Sequence, residues 1–380
     1  MTSTQTTLDG RRAEVTEKLA RVRELLVAQD LDGALFTRQF LLGWITAGLE
    51  DRILRGTDPG FVWALVTQDG AYIVTTNVEA ARLEPEEHPA ALGFETVTRP
   101  WYEGPLDGVV ANVCDVNRLG NDGFGPGRDI AGALQVIRMQ LTVGERERMR
   151  TLGAQGCAAV EDTLRNIRPG ALETSLSAEA ASRLEADGIF PFVILVGGDE
   201  RRRQYRHPTV SHAKVERDVI LVIVGVRGGL NVALSRSASF GSVDPVLAER
   251  HLVACEAEAR AVQACRPGAT YGDALDVQIA VYEAHGYHDE WHAHLQGGPI
   301  GYGPREFTPT PTAVPNEFTG FRIAVHHAVA WNPTVQGAKS EDTFLIGETD
   351  NEWITNSQSW PIVEVPTGSG VLQRPAIIEL

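Results

Sequence analysis

The sequence predicts an α+β protein in which a smaller α/β domain precedes a larger domain built from two similar halves. Three observations support this fold class. The chain has 380 residues, well above the roughly 150 residues that are usual for one domain. Helix and strand patterns are mixed in its first third. The motif Arg-Pro-Gly-Ala then occurs twice, at residues 168–171 and 266–269.

The first third begins with an amphipathic helix. Its apolar residues recur at the spacing of one helix face: Val15, Leu19, Val22 and Leu26. Segment 30–33 ends this pattern, and we expect a strand at 33–37. Two β-rich runs at 61–67 and 71–76 have the composition of a hairpin around Gln68, Asp69 and Gly70.

A stretch rich in Gly, Asn and Pro at 120–128 indicates a loop. We place the domain boundary shortly after it, near residue 139. The predicted domains are therefore 1–138 and 139–380.

The second domain contains an internal repeat with an offset of 98 residues. Each copy predicts a helix, an Arg-Pro-Gly break, a second helix closed by Gly188 or Gly286, and then strands. The strands are expected at 192–196 and 219–226 in the first copy, and at 292–295 and 323–331 in the second. Two such halves would pack around a pseudo-two-fold axis, with a cleft between them as the natural site for chemistry.

Composition and charge exclude several classes of protein. With 43% hydrophobic and 22% charged residues, the chain has the composition of a soluble globular protein. Its longest notable apolar run, 219–226, is far shorter than the roughly 20 residues that cross a bilayer, so we expect no membrane association. The net charge of -16 and the presence of only three lysines argue against a nucleic-acid partner. No CxxC spacing occurs, and we expect a cytoplasmic protein.

Histidines and glutamates concentrate in the segments that would line the cleft. The candidate residues are His207, His292, His294, His326, His327, Glu306 and Glu341. On a strand, His292 and His294 would share one face, whereas His326 and His327 would point to opposite faces. Such a cluster supports metal binding or metal-free general acid/base catalysis. The alternative is that these are ordinary hydrogen-bonded strand residues.

An arginine-rich run leads into the first of these histidines. Arg201, Arg202, Arg203 and Arg206 precede His207. Such a run is either a solvated loop or a clamp for a carboxylate, which arginine binds with two parallel hydrogen bonds. The glycine-rich segment 297–303 lacks both nucleotide-binding spacings, and no GxSxG motif for a serine nucleophile occurs.

The repeat and three motifs around these residues resemble the catalytic domain of the creatinase, aminopeptidase P and prolidase family. The motifs are Arg206-His207-Pro208, His294-x-x-Gly297 and Ser340-Glu341-Asp342-Thr343. The resemblance covers about residues 12–365 and implies a pita-bread fold for the second domain. It also implies a homodimer, which light scattering tests.

The resemblance further implies a dinuclear metal site, from which this sequence departs. Peptidases of the family hold two divalent metals with two Asp, one His and two Glu. These positions fall on Val222 or Ile223, Ala233, Gly298, the vicinity of His327, and Glu341. Only Glu341 retains a ligand type, because aliphatic side chains coordinate no metal. His207 and His294 match family histidines outside this ligand set.

We therefore expect a metal-independent hydrolase, or a lyase, that acts on a C–N bond of a small amine- or carboxylate-bearing molecule. His207 would be the general acid/base and Glu341 would orient it or the attacking water. The expected substrate-binding residues are His294, His327, Glu306 and Arg206.

Two alternatives stay open. One is a single divalent metal held by a rebuilt site, whose ligands would be His292, His294, His327 and Glu341. The other is a non-catalytic binding or scaffold protein that kept the fold without the metals. A conventional Xaa-Pro peptidase is disfavoured by the missing ligands.

Overall fold

The computed structural model describes residues 7–367 and 370–380. They form two compact units: the described part of Met1–Arg148 with Gly228–Leu230, and the described part of Met149–Arg227 with Asn231–Leu380. This division lies ten residues beyond the expected end of the first domain at residue 138, inside the helix Val143–Arg165. The predicted α+β class is confirmed.

The first unit is built on a mixed sheet. Its strands are β1 (Gly33–Phe36), β2 (Trp63–Thr67), β3 (Ala71–Thr76), β4 (Glu95–Arg99), β5 (Leu119–Asn121) and β6 (Arg128–Asp129). Its helices are α1 (Leu8–Gln29), α2 (Gln39–Ile45), α3 (Asn77–Glu87), α4 (Pro89–Leu92), α5 (Asp107–Val113) and α6 (Ala131–Met139). The strand order is β4-β3-β2-β1-β5-β6.

The predicted first helix and hairpin are confirmed. The apolar face of α1 is buried, and the Thr7 side chain caps its first turn by accepting a hydrogen bond from the Gly10 amide. Strands β2 and β3 pair antiparallel across the predicted turn. The loop expected at 120–128 is only partly correct, because β5 and β6 take its two ends.

The second unit contains the remaining elements. Its helices are α7 (Val143–Arg165, whose first turns belong to the first unit), α8 (Glu173–Ala186), α9 (Asp199–Gln204), α10 (Pro245–Ala264) and α11 (Tyr271–Ala284). Its strands are β7 (Ala171–Leu172), β8 (Phe190–Gly198), β9 (Lys214–Val215), β10 (Asp218–Arg227), β11 (Leu230–Ser239), β12 (Gly297–Ile300), β13 (Ala328–Trp331), β14 (Thr334–Val335), β15 (Ala338–Lys339), β16 (Asp342–Leu345), β17 (Glu352–Trp353), β18 (Ile362–Thr367), β19 (Gly370–Pro375) and β20 (Ile378–Glu379).

The internal repeat predicted from the sequence is present in the structure. Helices α8 and α11 have the same length and lie 98 residues apart. Gly170 and Gly268 follow the two prolines with φ angles of 86° and 91°, a left-handed conformation that favours glycine. Their amides donate to equivalent carbonyls, Val215 and Ile323, in both cases at 2.8 Å. Local sequence spacing was therefore sufficient to define both helix pairs.

Each half contributes a sheet, and the two sheets meet at β11. In the described residues, one sheet has the order β20-β11-β10-β8 and the other β12-β13-β16-β17. The amide of Asn231 on β11 donates to the Gly301 carbonyl at 2.8 Å, and the amide of Ser235 donates to the Glu341 carbonyl at 2.9 Å. These bonds bring the loops after β12 and before β16 to the same strand.

Two strand predictions in the second half are wrong. Residues Glu290–Ala293 form a 3-10 helix instead of the strand expected at 292–295, because the His292 amide bonds back to the Asp289 carbonyl at 3.2 Å. Of the strand expected at 323–331, only Ala328–Trp331 forms. His326 adopts a φ of 70°, and the His327 amide closes a turn onto the Ala324 carbonyl at 3.3 Å.

The arginine-rich run also differs from the solvated loop that it suggested. Arg201, Arg202 and Arg203 lie on α9, and Arg202 is buried. Separately, no helix within residues 7–367 and 370–380 is long and apolar enough to span a bilayer.

Candidate functional site

Two histidines that are 87 residues apart in the chain form the centre of the candidate site. His207 lies in the loop between α9 and β9, and His294 directly follows the 3-10 helix. Their Nε2 atoms are 3.1 Å apart, and the rings meet at 62°. One imidazole donates this hydrogen bond and the other accepts it, so the contact needs at least one neutral ring. His207 is exposed, whereas His294 is buried.

A buried ion pair lies near the histidines. Lys339 ends β15, and Glu341 lies in the two-residue connection directly before β16. The Lys339 Nζ atom lies 3.4 Å from Glu341 Oε2, and both side chains are about 95% buried. Glu341 Oε2 has no hydrogen-bond donor among the described residues. The carboxylate therefore retains hydrogen-bonding capacity.

The electrostatic environment keeps both histidines neutral near pH 7. Burial lowers the pKa of His294 to about 2, and the positive charge of Lys339 acts in the same direction. For His207, partial desolvation is the largest cause of a lowered pKa; Lys339 adds to this effect and Glu341 opposes it. The ion pair thus acts on His207 through space, and no hydrogen bond joins Glu341 to His207 among the described contacts.

A second cation, the half-buried Arg305, lies near this group. Arg305 Nη1 donates to the carbonyl oxygens of Gly298 at 3.0 Å and Ala330 at 2.7 Å, which joins β12 to β13. Burial lowers the pKa of Arg305 to about 10, and Glu341 opposes the shift. At neutral pH the guanidinium therefore stays charged and adds to the positive potential of the site.

The positions that correspond to the metal ligands of the resembled peptidases do not fit a dinuclear centre. Gly298 has a φ of 141°, and a Cβ atom built there would lie 2.9 Å from Pro309. Backbone groups of Ala233 bond to Thr343 Oγ1, and Val222 is buried on β10. The register of β13 and β16 pairs Trp331 with Asp342, so His327, which precedes β13, lies at the other end of this strand pair from Glu341.

The rebuilt single-metal site is not assembled either. Across residues 7–367 and 370–380, no three His, Cys, Asp or Glu side chains lie close enough together to hold a metal ion. His292 is exposed and contacts Trp291, with ring centroids 3.7 Å apart. His327 belongs to a separate aromatic group, in which Tyr271 Oη lies 3.1 Å from His327 Nδ1.

Three more predicted residues have structural partners. Glu306 Oε1 accepts hydrogen bonds from the amides of Tyr302 and Gly303 at 2.9 and 3.1 Å and so shapes the loop after β12. His327 lies in its aromatic group, and burial lowers its pKa to about 4. Arg206 pairs through Nη2 with Glu290 at 2.5 Å, while its Nη1 is buried without a hydrogen-bond partner among the described residues.

Three site residues were not found from the sequence: Lys339, Arg305 and Thr334. Lys339 could have been noticed, since it is one of three lysines in the chain and precedes the retained Glu341 by two positions. Arg305 and Thr334 carry no comparable signal. The hydroxyl of Thr334 is buried without a hydrogen-bond partner in the described chain.

A narrow cleft beside Lys339 in the second unit has room for about one water molecule. Its walls are formed by Arg202, Tyr205, Arg206, Pro208, Ile220, Val222, Thr334, Gly337, Ala338 and Lys339. Arg206 and Pro208, the chain neighbours of His207, line this cleft, whereas His207 itself does not. The exposed imidazole of His207 can exchange protons with a molecule bound in contact with it.

Comparisons with known proteins agree with this architecture. A family model described as metallopeptidase family M24 matches residues 147–348. An uncharacterized peptidase from Staphylococcus saprophyticus is 22% identical over 244 residues, which cover 63% of this chain and 68% of that protein.

Solved structures extend the likeness to most of the chain. A prolidase from Pyrococcus horikoshii has a TM-score of 0.74 at 16% identity, covering 90% of this chain and 99% of that one. A Xaa-Pro dipeptidase from Bacillus anthracis has a TM-score of 0.73 at 20% identity, covering 96% and 100%. The family model spans more than half of the 380 residues. The protein belongs to metallopeptidase family M24 and has the pita-bread fold.

Proposed function

We propose that this protein hydrolyses a C–N bond of a small amine- or carboxylate-bearing molecule without a metal ion, using His207 as general acid/base. The observation that carries the proposal is the 3.1 Å contact between His207 and His294 next to the buried Lys339–Glu341 pair. This arrangement occupies a site where the ligand types of the related peptidases have been lost.

His207 is the group suited to moving the proton. It is exposed, and its lowered pKa leaves it unprotonated at pH 7, so that it can accept a proton. As water attacks the carbon atom, His207 accepts a proton from the water and then donates it to the leaving nitrogen. A C–O bond forms, the C–N bond breaks, and the imidazole is regenerated.

His294 and Glu341 act as positioning residues. With a pKa of about 2, His294 stays neutral throughout and holds the His207 ring through the Nε2 contact. The negative charge of Glu341 raises the pKa of His207 against the larger opposing effects. It therefore stabilises the imidazolium that forms during the reaction.

The chemistry of the relatives supports the bond type. The names of the structural neighbours, prolidase and Xaa-Pro dipeptidase, denote enzymes that cleave peptide C–N bonds. The dinuclear version of that chemistry is disfavoured here by Ala233 and Gly298. The same overall reaction remains accessible to a histidine base acting on water.

The experiment combines metal analysis with an amine-release screen. Protein purified without added metal is analysed for bound elements and then incubated with dipeptides, N-acyl amino acids and guanidino acids, each with and without EDTA. We expect less than one equivalent of metal and release of amine that EDTA leaves unchanged.

Three outcomes would contradict the proposal. Two equivalents of Mn, Zn or Co together with loss of activity in EDTA would indicate a conventional dinuclear peptidase. One equivalent with the same loss would indicate a single-metal enzyme. A folded, metal-free protein that releases no amine from any compound would indicate a binding protein.

A further inference from the structure

His294 lacks the partner that usually orients a histidine ring. A functional histidine is commonly held by a hydrogen bond at the ring nitrogen that faces away from the chemistry. In His294, Nε2 contacts His207 at 3.1 Å, whereas Nδ1 is buried without a hydrogen-bond partner among the described residues. The direction of the ring therefore depends on how the backbone of His294 is held.

The side chain of Gln296 holds that backbone. Its Nε2 atom donates to the His294 carbonyl at 2.7 Å and, at a longer distance of 3.4 Å, to the Trp291 carbonyl. These carbonyls lie at the end of the 3-10 helix Glu290–Ala293, where the last carbonyls of a helix have no partners within the helix. Gln296 thus caps the helix and fixes the point at which His294 leaves it.

The other end of the Gln296 amide is anchored to α11. Gln296 Oε1 accepts hydrogen bonds from Gln278 Nε2 at 2.6 Å and from Tyr282 Oη at 2.9 Å. All three side chains are buried. Hydrogen bonds in such a packed environment are strong and hold their members in one arrangement. The position of His294 is therefore tied to α11 through one amide group.

Tyr282 determines which end of this amide faces His294. Tyr282 Oη accepts a hydrogen bond from the Thr334 amide at 3.0 Å and donates its own hydrogen to Gln296 Oε1. A reversed amide would place its oxygen against the His294 carbonyl oxygen, and two acceptors without a hydrogen between them repel each other. A carboxylate at position 296 would likewise keep the contacts to α11 and lose the contact to His294.

We propose that Gln296 is a positioning residue, which sets the orientation of His294 and so maintains the contact between His294 and His207. Its catalytic consequence rests on the proposed function, whereas the arrangement of the two rings can be measured without a substrate. Because two neutral rings meet Nε2 to Nε2, one ring carries its proton on Nε2 and the other on Nδ1. Opposite tautomers are therefore the signature of an intact histidine pair.

The test measures these tautomers by NMR. Long-range 1H–15N correlation spectra are recorded at pH 7 on the full-length protein labelled with 15N-histidine, and His207→Gln and His294→Gln assign the two rings. We expect opposite tautomers in the wild type. Gln296→Glu retains the acceptor for Gln278 and Tyr282 but removes the donor to His294. The fraction of the Nδ1–H form in the pair should then fall by about twofold or more.

Two further variants separate this effect from folding. Gln296→Met has an apolar side chain of similar length and should cause the same loss, so it remains informative if the buried carboxylate of Gln296→Glu prevents folding. Gln263→Glu makes the same chemical change on α10, where Gln263 Nε2 donates to Thr367 Oγ1 at 3.2 Å. It should leave both tautomers unchanged. Circular dichroism and urea unfolding show whether the compared variants are folded.

Kinetics provide a second measurement once a substrate is identified. Gln296→Glu should lower kcat by about 10- to 100-fold, because His294 no longer holds the base His207 in the reactive geometry. The change in KM should be smaller, since neither His294 nor Gln296 is needed to bind the ground state under this proposal.

The outcomes distinguish the positioning role from the proposed function. Opposite tautomers that persist in the Gln296 variants would refute the positioning role, as would identical tautomers in the wild type. Loss of opposite tautomers with an unchanged kcat would support the positioning of His294 and refute catalysis by the histidine pair. A lowered kcat with the opposite tautomers intact would refute the positioning role, because Gln296 would then act by another route.

Discussion

Glu341 and Asp342 are neighbours in the chain, yet they belong to two very different buried polar groups. Asp342 accepts hydrogen bonds from Arg236 at 3.0 Å and Thr355 at 2.7 Å, and Arg374 lies 3.4 Å away. Glu341 forms an ion pair with Lys339, and its Oε2 atom has no hydrogen-bond donor among the described residues. We call the group around Asp342 saturated, because its hydrogen-bonding capacity is used, and the group around Glu341 unsaturated, because part of that capacity is free.

The partners of Asp342 are saturated as well. Arg236 uses Nε for Glu161, Nη1 for Asp342 and the Ser235 carbonyl, and Nη2 for Cys157 and the Thr355 carbonyl. No capacity remains for a ligand. Buried charges that are fully paired hold the fold together, whereas those with unused donors and acceptors are available for binding and chemistry.

The largest expected effect is on catalysis at the unsaturated group. If His207 transfers the proton, His207→Ala should lower kcat by about 10² to 10⁴. Adding Glu341→Gln should cost little beyond the worse single variant, because residues that act as a unit are non-additive. Steady-state kinetics on a substrate from the screen measures both, with circular dichroism as the folding control.

Two results would break this expectation. Wild-type rates in a folded His207→Ala protein would place the general base elsewhere. Additive losses in the double variant would show that His207 and Glu341 serve separate steps.

The next effect is on stability at the saturated group. Asp342→Asn removes a charge from between Arg236 and Arg374 and should lower the free energy of unfolding by about 3 to 5 kcal/mol. Glu341→Gln, the matched change one residue away, should cost less than half as much, because Lys339 lines the cleft and can bind water or a solute ion. Urea unfolding measures the free energy of unfolding of both variants. Equal losses would show that Asp342 and Glu341 contribute equally to stability.

A third effect is a pH dependence of the free energy of unfolding that comes from His251, a buried residue of α10. Burial lowers the pKa of His251 to about 4, and Arg202 and Arg236 add to this. The unfolded chain binds this proton below about pH 6.5, whereas the native protein does not until about pH 4. His251 therefore contributes a loss of stability, up to about 3 kcal/mol, as the pH falls from 6.5 to 4.

The variant His251→Gln should lack that contribution. Urea unfolding at several pH values gives the free energy of unfolding of both proteins. If the variant loses as much stability as the wild type between pH 6.5 and 4, His251 is not the group that resists protonation.

The smallest effect compares the same substitution at two threonines. Thr355 Oγ1 donates to Asp342 and accepts from the Thr343 amide at 2.9 Å, so Thr355→Val should cost about 1 to 3 kcal/mol. The Thr334 hydroxyl has no partner in the described chain, so Thr334→Val should be neutral or slightly stabilising. Thermal unfolding of the two variants tests this, and a clear loss at Thr334 would mean that its hydroxyl supports the fold.

Local spacing was enough to predict much of the fold. The first helix, the hairpin, the duplicated helix pairs and the strands near 192–196 and 219–226 were predicted because each depends on neighbouring residues. The resemblance to the family, together with side-chain identity, predicts that ligand types are missing at Ala233 and Gly298, since these side chains cannot coordinate a metal. His207, His294 and Glu341 were predicted for the same site and lie in one electrostatic environment.

Only the tertiary structure decided which polar residues meet. The turn at His326 separates His327 from the site, and a 3-10 helix exposes His292. In both places a local turn, closed by the His327 amide on the Ala324 carbonyl and by the His292 amide on the Asp289 carbonyl, replaces the expected strand. Lys339 meets Thr334 through the register of two short strands, which no local pattern specifies. Whether a buried donor is used or left unpaired depends on every group packed around it, and that is a property of the folded molecule alone.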